Sequence, residues 1–409
     1  MAGSPVRVDF PATEGKRRCP RACLIACHWM QSKSEMVRPL SKHETPPLKA
    51  AGHGKTVPLH QTLRTLAIGT VGGWCGYMLG LPLGWLLGAM VLTMALAIAG
   101  IRVSASPKPR AAMIAVVGLM VGSAFKPEVL RQAAEWPVSL AAVAVYTVIV
   151  AAFGIVVCRR LGRLDPATAA LSGMPGGLSE LISMAPAFKA DVRSVSMVHA
   201  TRLVLLITIV PLSLTLSGAL AALTGRTVDR TMHWALTISP LDAAILAGCA
   251  ALGIILGRRL HLPAANLTGP LALSAAAHMT GLTDAAVPDL VIAVAQVVIG
   301  ATIGQHFAGV ARRTMLTGVV LGLVLTCFSL TLAALFAIAF DRYLDIPFAL
   351  GLLALVPGGL PEMSLIAISL DADPAFVSLH HLCRVIIVVL AAPSILPLWL
   401  RLSGGEGKG

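Results

Sequence analysis

Two glutamates stand where a membrane protein rarely keeps a charge. Glu180 and Glu362 each lie inside an apolar stretch, three residues after a Pro-Gly-Gly triplet, Pro175-Gly176-Gly177 and Pro357-Gly358-Gly359. An ionisable group at membrane depth is costly, and it marks a site with a partner to be named. Arg202 and Arg384 are the natural partners. Each follows a histidine, His199 or His381, by three residues, and that spacing puts both side chains on one helix face. A carboxylate held in such surroundings suits the uptake and release of a proton. The same pairing would also serve to lock two helices together. The histidines read as wet residues near a helix end. Asp191 and Asp373 read as caps or loop residues.

The triplets say what must hold these groups. Proline removes a backbone donor, and glycine lets a helix unwind at little cost. The sequences Ser172-Gly173-Met174-Pro175-Gly176-Gly177 and Leu355-Val356-Pro357-Gly358-Gly359 therefore predict helices broken within the membrane. Broken helices expose half-helix ends. Their N-termini attract anions and their C-termini attract cations.

Around these breaks the chain is strongly apolar, with 56% hydrophobic and 12% charged residues. Runs such as Pro137 to Cys158, Leu203 to Leu223 and Met315 to Phe340 exceed the roughly 18 residues needed to cross a bilayer. The net charge of +13 does not indicate nucleic-acid binding, because basic residues sit in the N-terminal segment or in short loops between apolar runs. Cys75, Cys158, Cys249, Cys327 and Cys383 read as packing residues. Cys19, Cys23, Cys27 and His28 do not match zinc spacings, and no metal or cofactor is expected.

The chain also repeats itself. Leu81, Pro82, Leu86 and Gly88 recur as Leu262, Pro263, Leu267 and Gly269, an offset of 181. Gly118, Gly122 and Phe125 recur as Gly300, Gly304 and Phe307, an offset of 182. The same 182 relates the two Pro-Gly-Gly-Leu segments, Glu180 to Glu362, Asp191 to Asp373, His199 to His381 and Arg202 to Arg384. Two membrane repeats are expected, 62–222 and 241–402, preceded by a polar basic extension over 1–60 that reads as disordered and partly dispensable. Gly118, Gly122, Gly300 and Gly304 form Gly-x-x-x-Gly in both repeats and predict close helix packing.

Loop charge predicts the relative orientation. The loop with Arg102, Lys108 and Arg110 and the one with Arg159, Arg160 and Arg163 are basic. Their counterparts carry Asp284 and Asp289, and Asp341 and Asp345. Basic loops face the cytoplasm, so the repeats are expected to be inverted, with about five spans each and both termini cytoplasmic in a bacterial inner membrane. The alternative, twelve full crossings in parallel repeats, puts acidic loops inside. The expected fold class is an all-α polytopic membrane protein with two inverted structural repeats, each holding a broken or re-entrant helix.

The segments Gly173-Met174-Pro175-Gly176-Gly177-Leu178-Ser179-Glu180 and Val356-Pro357-Gly358-Gly359-Leu360-Pro361-Glu362-Met363, with the His-x-x-Arg pair after each, resemble the membrane AbrB family of duplicated bacterial proteins. The resemblance covers roughly residues 62 to 402. It implies similarity to the cation–proton antiporter and anion transporter superfamily, with inverted repeats and crossed broken helices. Ser179 becomes Pro361 in the second copy, so the two breaks are not equivalent. Family members carry names such as ammonia monooxygenase and AbrB family transcriptional regulator.

Three functions follow. The first is a secondary transporter of a small, anionic solute, with a coupling proton on a glutamate and an arginine from each repeat at the solute. The second is a membrane regulator that acts on gene expression indirectly. The third is a metal-dependent oxygenase, which His199, His278, His306, His380 and His381 do not support by spacing. The expected partners are the bilayer, the solute and a second copy of the chain, with no nucleic acid.

Overall fold

The computed structural model describes residues 57–125, 136–216, 238–370 and 372–402. Residues 1–56, with Cys19, Cys23 and Cys27, lie outside them, as do residues 126–135 and 217–237. Among the described residues the regular secondary structure is helix throughout. In chain order they form α1 (Leu59–Met78), α2 (Gly84–Ile98), α3 (Pro107–Ser123), α4 (Pro137–Arg160), α5 (Pro166–Gly173), α6 (Leu178–Met184) and α7 (Val192–Leu216). There follow α8 (Pro240–Arg259), α9 (Ala265–Met279), α10 (Asp289–Gly304), α11 (Arg312–Tyr343), α12 (Phe348–Leu355), α13 (Leu360–Ser369) and α14 (Pro374–Leu402).

Local chemistry sets many of the starts. Pro107, Pro137, Pro166, Pro240 and Pro374 open their helices, where the missing N–H costs nothing. Asp165 accepts from the N–H groups of Ala167 and Thr168 and caps α5. Asp191 accepts from Arg193 and Ser194, and Asp373 from Ala375 and Phe376, so both cap the helices that carry the His-x-x-Arg pairs. Leu83 and Ala264, just before α2 and α9, share a left-handed backbone, as do Arg163 and Asp345 before α5 and α12. α14 begins at Pro374 because Asp373 caps it and Pro374 opens it.

Six stretches among the described residues are long and apolar enough to cross a membrane: Pro137–Arg160, Val192–Leu216, Pro240–Arg259, Asp289–Phe307, Arg312–Tyr343 and Pro374–Pro397. Several turn large apolar side chains outward. Val138, Val145, Val148 and Val156 on α4, and Leu316, Leu323, Leu335 and Ile338 on α11, are exposed. A surface of that kind is at home in lipid and not in water.

Small residues bring the helices together. Gly72 and Gly76 of α1 meet Gly84 and Gly88 of α2 backbone to backbone, and Gly253 and Gly257 of α8 meet α9 around Gly269. Gly118 and Gly122 of α3 then lie on α9, while Gly300 and Gly304 of α10 lie on α2. The close-packing role read from Gly-x-x-x-Gly holds, with each motif seated on a helix from the other end of the chain. α3 and α10 also pack on each other. The second assembly gathers α4, α5, α7, α11, α12 and α14, with Gly154 of α4 against Gly173 of α5 and Gly318 and Gly322 of α11 against Met197 and Thr201 of α7. α3 reaches into it through α13 and α14.

Candidate functional site

Both triplets interrupt a helix. α5 stops at Gly173 and α6 starts at Leu178, while α12 stops at Leu355 and α13 starts at Leu360. A residue before proline is pushed out of the helical region by the proline ring. Met174 (φ −66°, ψ 138°) and Val356 (φ −55°, ψ 129°) are extended accordingly, and so are Gly177 and Gly359. The two breaks lie in one core, where Leu178 packs in the cluster that holds Val356, Leu360 and Met363. Gly176 also lies against Val388 of α14.

Each break frees the last carbonyls of its first half-helix, and the His-x-x-Arg faces receive them. His199 Nε2 bonds the Leu171 carbonyl at 2.9 Å and Arg202 Nη1 donates to the Met174 carbonyl at 3.2 Å. In the second break His381 Nε2 bonds the Leu353 carbonyl at 2.9 Å. Arg384 donates to Leu355, Val356 and Gly358 at 3.2, 2.9 and 2.9 Å, and to His381 Nδ1 at 2.7 Å. These partners define the His381 tautomer, with the proton on Nε2 and the lone pair on Nδ1. A guanidinium at the negative end of a half-helix is favourably placed.

This geometry corrects two expectations. Arg202 and Arg384 are bound to backbone carbonyls and form no ion pair with Glu180 or Glu362 among the described residues. The reason is that carbonyls freed by the break lie nearer, and a buried C=O must find a donor. The histidines are also not wet. His199 and His381 are buried in their helices, with donors committed to carbonyls.

The glutamates occupy the other side of each break. Both stand at the third position of the second half-helix, at its positive end. Their carboxylates fold back onto Gly177 and Gly359, filling the space that a β-carbon would take. Only glycine leaves that room, which explains the second Gly of each triplet. Glu362 is buried, 1% exposed, and its Oε1 accepts from Arg110 Nη2 at 3.1 Å. Its Oε2 has no hydrogen-bond partner among the described residues. Glu180 is half-buried and lies within electrostatic reach of both Arg110 and Glu362. His306 is within reach of Arg110 as well.

Arg110 is the residue that sequence reading misplaced. The sequence places it among the loop charges, yet it lies in the first turn of α3, 16% exposed, and spans from the first half of the chain to the second. Its counterpart by the offset is Ile292, so the repeat itself gave no cue. An unmatched charge at the head of an apolar helix was the available signal. Tyr146 was also overlooked. Its buried hydroxyl donates to the Ser329 carbonyl at 3.0 Å, and it lies within electrostatic reach of Arg202 and Arg384. Among the described residues no group of three or more His, Cys, Asp or Glu converges as metal ligands would.

These features define an all-helical membrane protein with two interrupted helices braced by buried arginines. The chain belongs to the AbrB family: the family model described as "Transition state regulatory protein AbrB" matches residues 85–400. It is similar to "Uncharacterized protein YhjN" of Bacillus subtilis (strain 168), 26% identical over 362 residues, covering 83% of this chain and 93% of that protein. It is also similar to "Putative regulator AbrB" of Escherichia coli (strain K12), 26% identical over 328 residues, covering 77% of this chain and 89% of that protein. No solved structure matches the chain.

Proposed function

We propose that the chain is a secondary transporter of a small anionic solute in the bacterial inner membrane, with its exchange site at the two Pro-Gly-Gly breaks. The Arg110–Glu362 pair carries this reading. Arg202 and Arg384 hold the backbone, so Arg110 is the arginine that remains for the solute. Arg110, Glu180 and Glu362 together sum to one negative charge when all are ionised, a costly arrangement for a buried carboxylate with an unpartnered oxygen. A proton on Glu362 removes that charge and releases the guanidinium, which is then suited to a carboxylate or similar anion. Proton and solute thus bind together or leave together.

The inverted-repeat arrangement, about five spans per repeat with both termini cytoplasmic, is part of the proposal. The matched helix order and the matched left-handed residues support the repeat, and the loop charges support its inversion. Influence on gene expression, which the name of the Escherichia coli relative suggests, would then be indirect, through the solute moved.

The test is solute-driven proton movement. Proteoliposomes containing the full chain and a trapped pH dye are given monocarboxylates, dicarboxylates, phosphate and sulfate in turn. Proton uptake that depends on one of these solutes is expected, and it is lost in Glu362→Gln and in Arg110→Gln. Wild-type vesicles silent to every anion, or a Glu362→Gln variant with unchanged proton uptake, would sink the proposal.

A further inference from the structure

A separate cavity lies where α4 ends. Arg159 and Arg160 form its last turn, and the chain then bends through Arg163, which has φ 51°. Arg159, Arg160, Arg163, Val156, Leu164 and Trp399 of α14 line a shallow, open cavity of about 440 Å³. Arg159 is held in place by donating from Nη1 to the Leu164 carbonyl at 2.9 Å. Arg160 and Arg163 are exposed, and none of the three arginines forms an ion pair among the described residues. The adjacent acid, Asp165, has its Oδ1 engaged by the N–H groups of Ala167 and Thr168. Trp399 lines the cavity with its indole, while its ring N–H is buried away from the opening.

Arginines at a helix C-terminus favour the dipole whether or not anything binds. That role accounts for the charges but not for their convergence on a cavity with an apolar wall. The corresponding turn after α11 carries Asp341, Arg342 and Asp345, and there Asp341 caps α12 by accepting from the Phe348 N–H. Among the described residues, the corresponding turn therefore lacks the arginine cluster found after α4.

We propose that this cavity binds the phosphate of an anionic phospholipid headgroup, with the acyl chain lying along Val156 and Trp399. Guanidinium forks match phosphate oxygens, and basic pockets between membrane helices are suited to anionic headgroups. Val156, exposed on α4, gives the cavity an apolar wall for an acyl chain. Trp399 also packs in the cluster with Leu171, Leu181, Val388 and Leu396, so a lipid seated here braces α4 against α14 and α5.

The full chain in neutral detergent is titrated with phosphatidylglycerol, with phosphatidylcholine of the same acyl chains, and with inorganic phosphate. Retained lipid is counted by native mass spectrometry, and the rise in melting temperature gives the apparent affinity. Phosphatidylglycerol is expected to bind selectively, and raising the salt concentration should suppress this in the wild type. Arg160→Gln/Arg163→Gln, which spares the Arg159 bond, should weaken binding by about fivefold per arginine. Arg258→Gln/Arg259→Gln, two exposed arginines on α8, which packs on α9 and α3, should leave it unchanged. Equal binding of phosphatidylcholine, salt-insensitive binding in the wild type, or full retention in Arg160→Gln/Arg163→Gln would each overturn the proposal. So would inorganic phosphate alone reproducing the stabilisation, which would assign the cavity to a soluble anion.

Discussion

At the residue scale the two breaks are not held alike. Arg384 satisfies three carbonyls and orients His381, whereas Arg202 satisfies one. Hydrogen bonds from a charged donor contribute about 1.5–3 kcal/mol each. Arg384→Ala is therefore expected to destabilise the protein by at least about 3 kcal/mol, and clearly more than Arg202→Ala. Denaturation in mild detergent checks this, and equal losses would show that the extra bonds of Arg384 contribute nothing. Lysine cannot substitute at 384, because a single ammonium cannot reach both Val356 and Gly358 as the planar fork does.

These contacts also show how far the sequence could be read. Proline and glycine act on their own backbone, so both interruptions were legible from Pro175-Gly176-Gly177 and Pro357-Gly358-Gly359 alone. The offset then flagged His199, Arg202, His381 and Arg384 as members of the site. Which group each arginine serves was not legible, because that depends on whether a carbonyl or a carboxylate lies closer in space. Arg110 was hidden for a related reason: its partner is 252 residues away, and nothing in the spacing of α3 points to α13.

At the element scale the fold depends on glycines that let backbones touch. Gly300 of α10 faces the Leu86 carbonyl of α2, so a side chain there must separate the two helices. Gly248 of α8 has open space around it. Gly300→Ala is expected to cost about 1–3 kcal/mol by overpacking. Gly248→Ala should be neutral or stabilising by up to about 1 kcal/mol, because alanine favours the helix. Thermal melts of the two variants side by side provide the check, and a Gly300→Ala protein as stable as wild type would show that α10 and α2 can part at little cost. The Gly-x-x-x-Gly pattern announced close packing but not its partner. That α3 seats on α9, and α10 on α2, is a property of topology that no single helix records.

At the scale of the whole molecule the open question is orientation, and loop charge frames it. With Arg110 withdrawn into a buried pair, the 102–110 loop keeps Arg102 and Lys108 against Asp284 and Asp289 in its counterpart. The bias is reduced but keeps its sign. Single cysteines at Ser104 and Asp284, in a background without the native cysteines, are expected to react with an impermeant thiol reagent from opposite sides of the membrane. Labelling from the same side would make the repeats parallel and remove the basis for a shared exchange site.

The unequal bracing has a kinetic meaning. Amide hydrogens report how often a segment opens, and segments with fewer satisfied carbonyls open more often. The stretch from Met174 to Met184, secured by one bond from Arg202 and bearing a half-buried glutamate, should exchange its amides faster than Val356 to Ser369. The two interrupted helices then differ in lifetime as well as in contacts: one is a fixed wall, and the other is the part that yields.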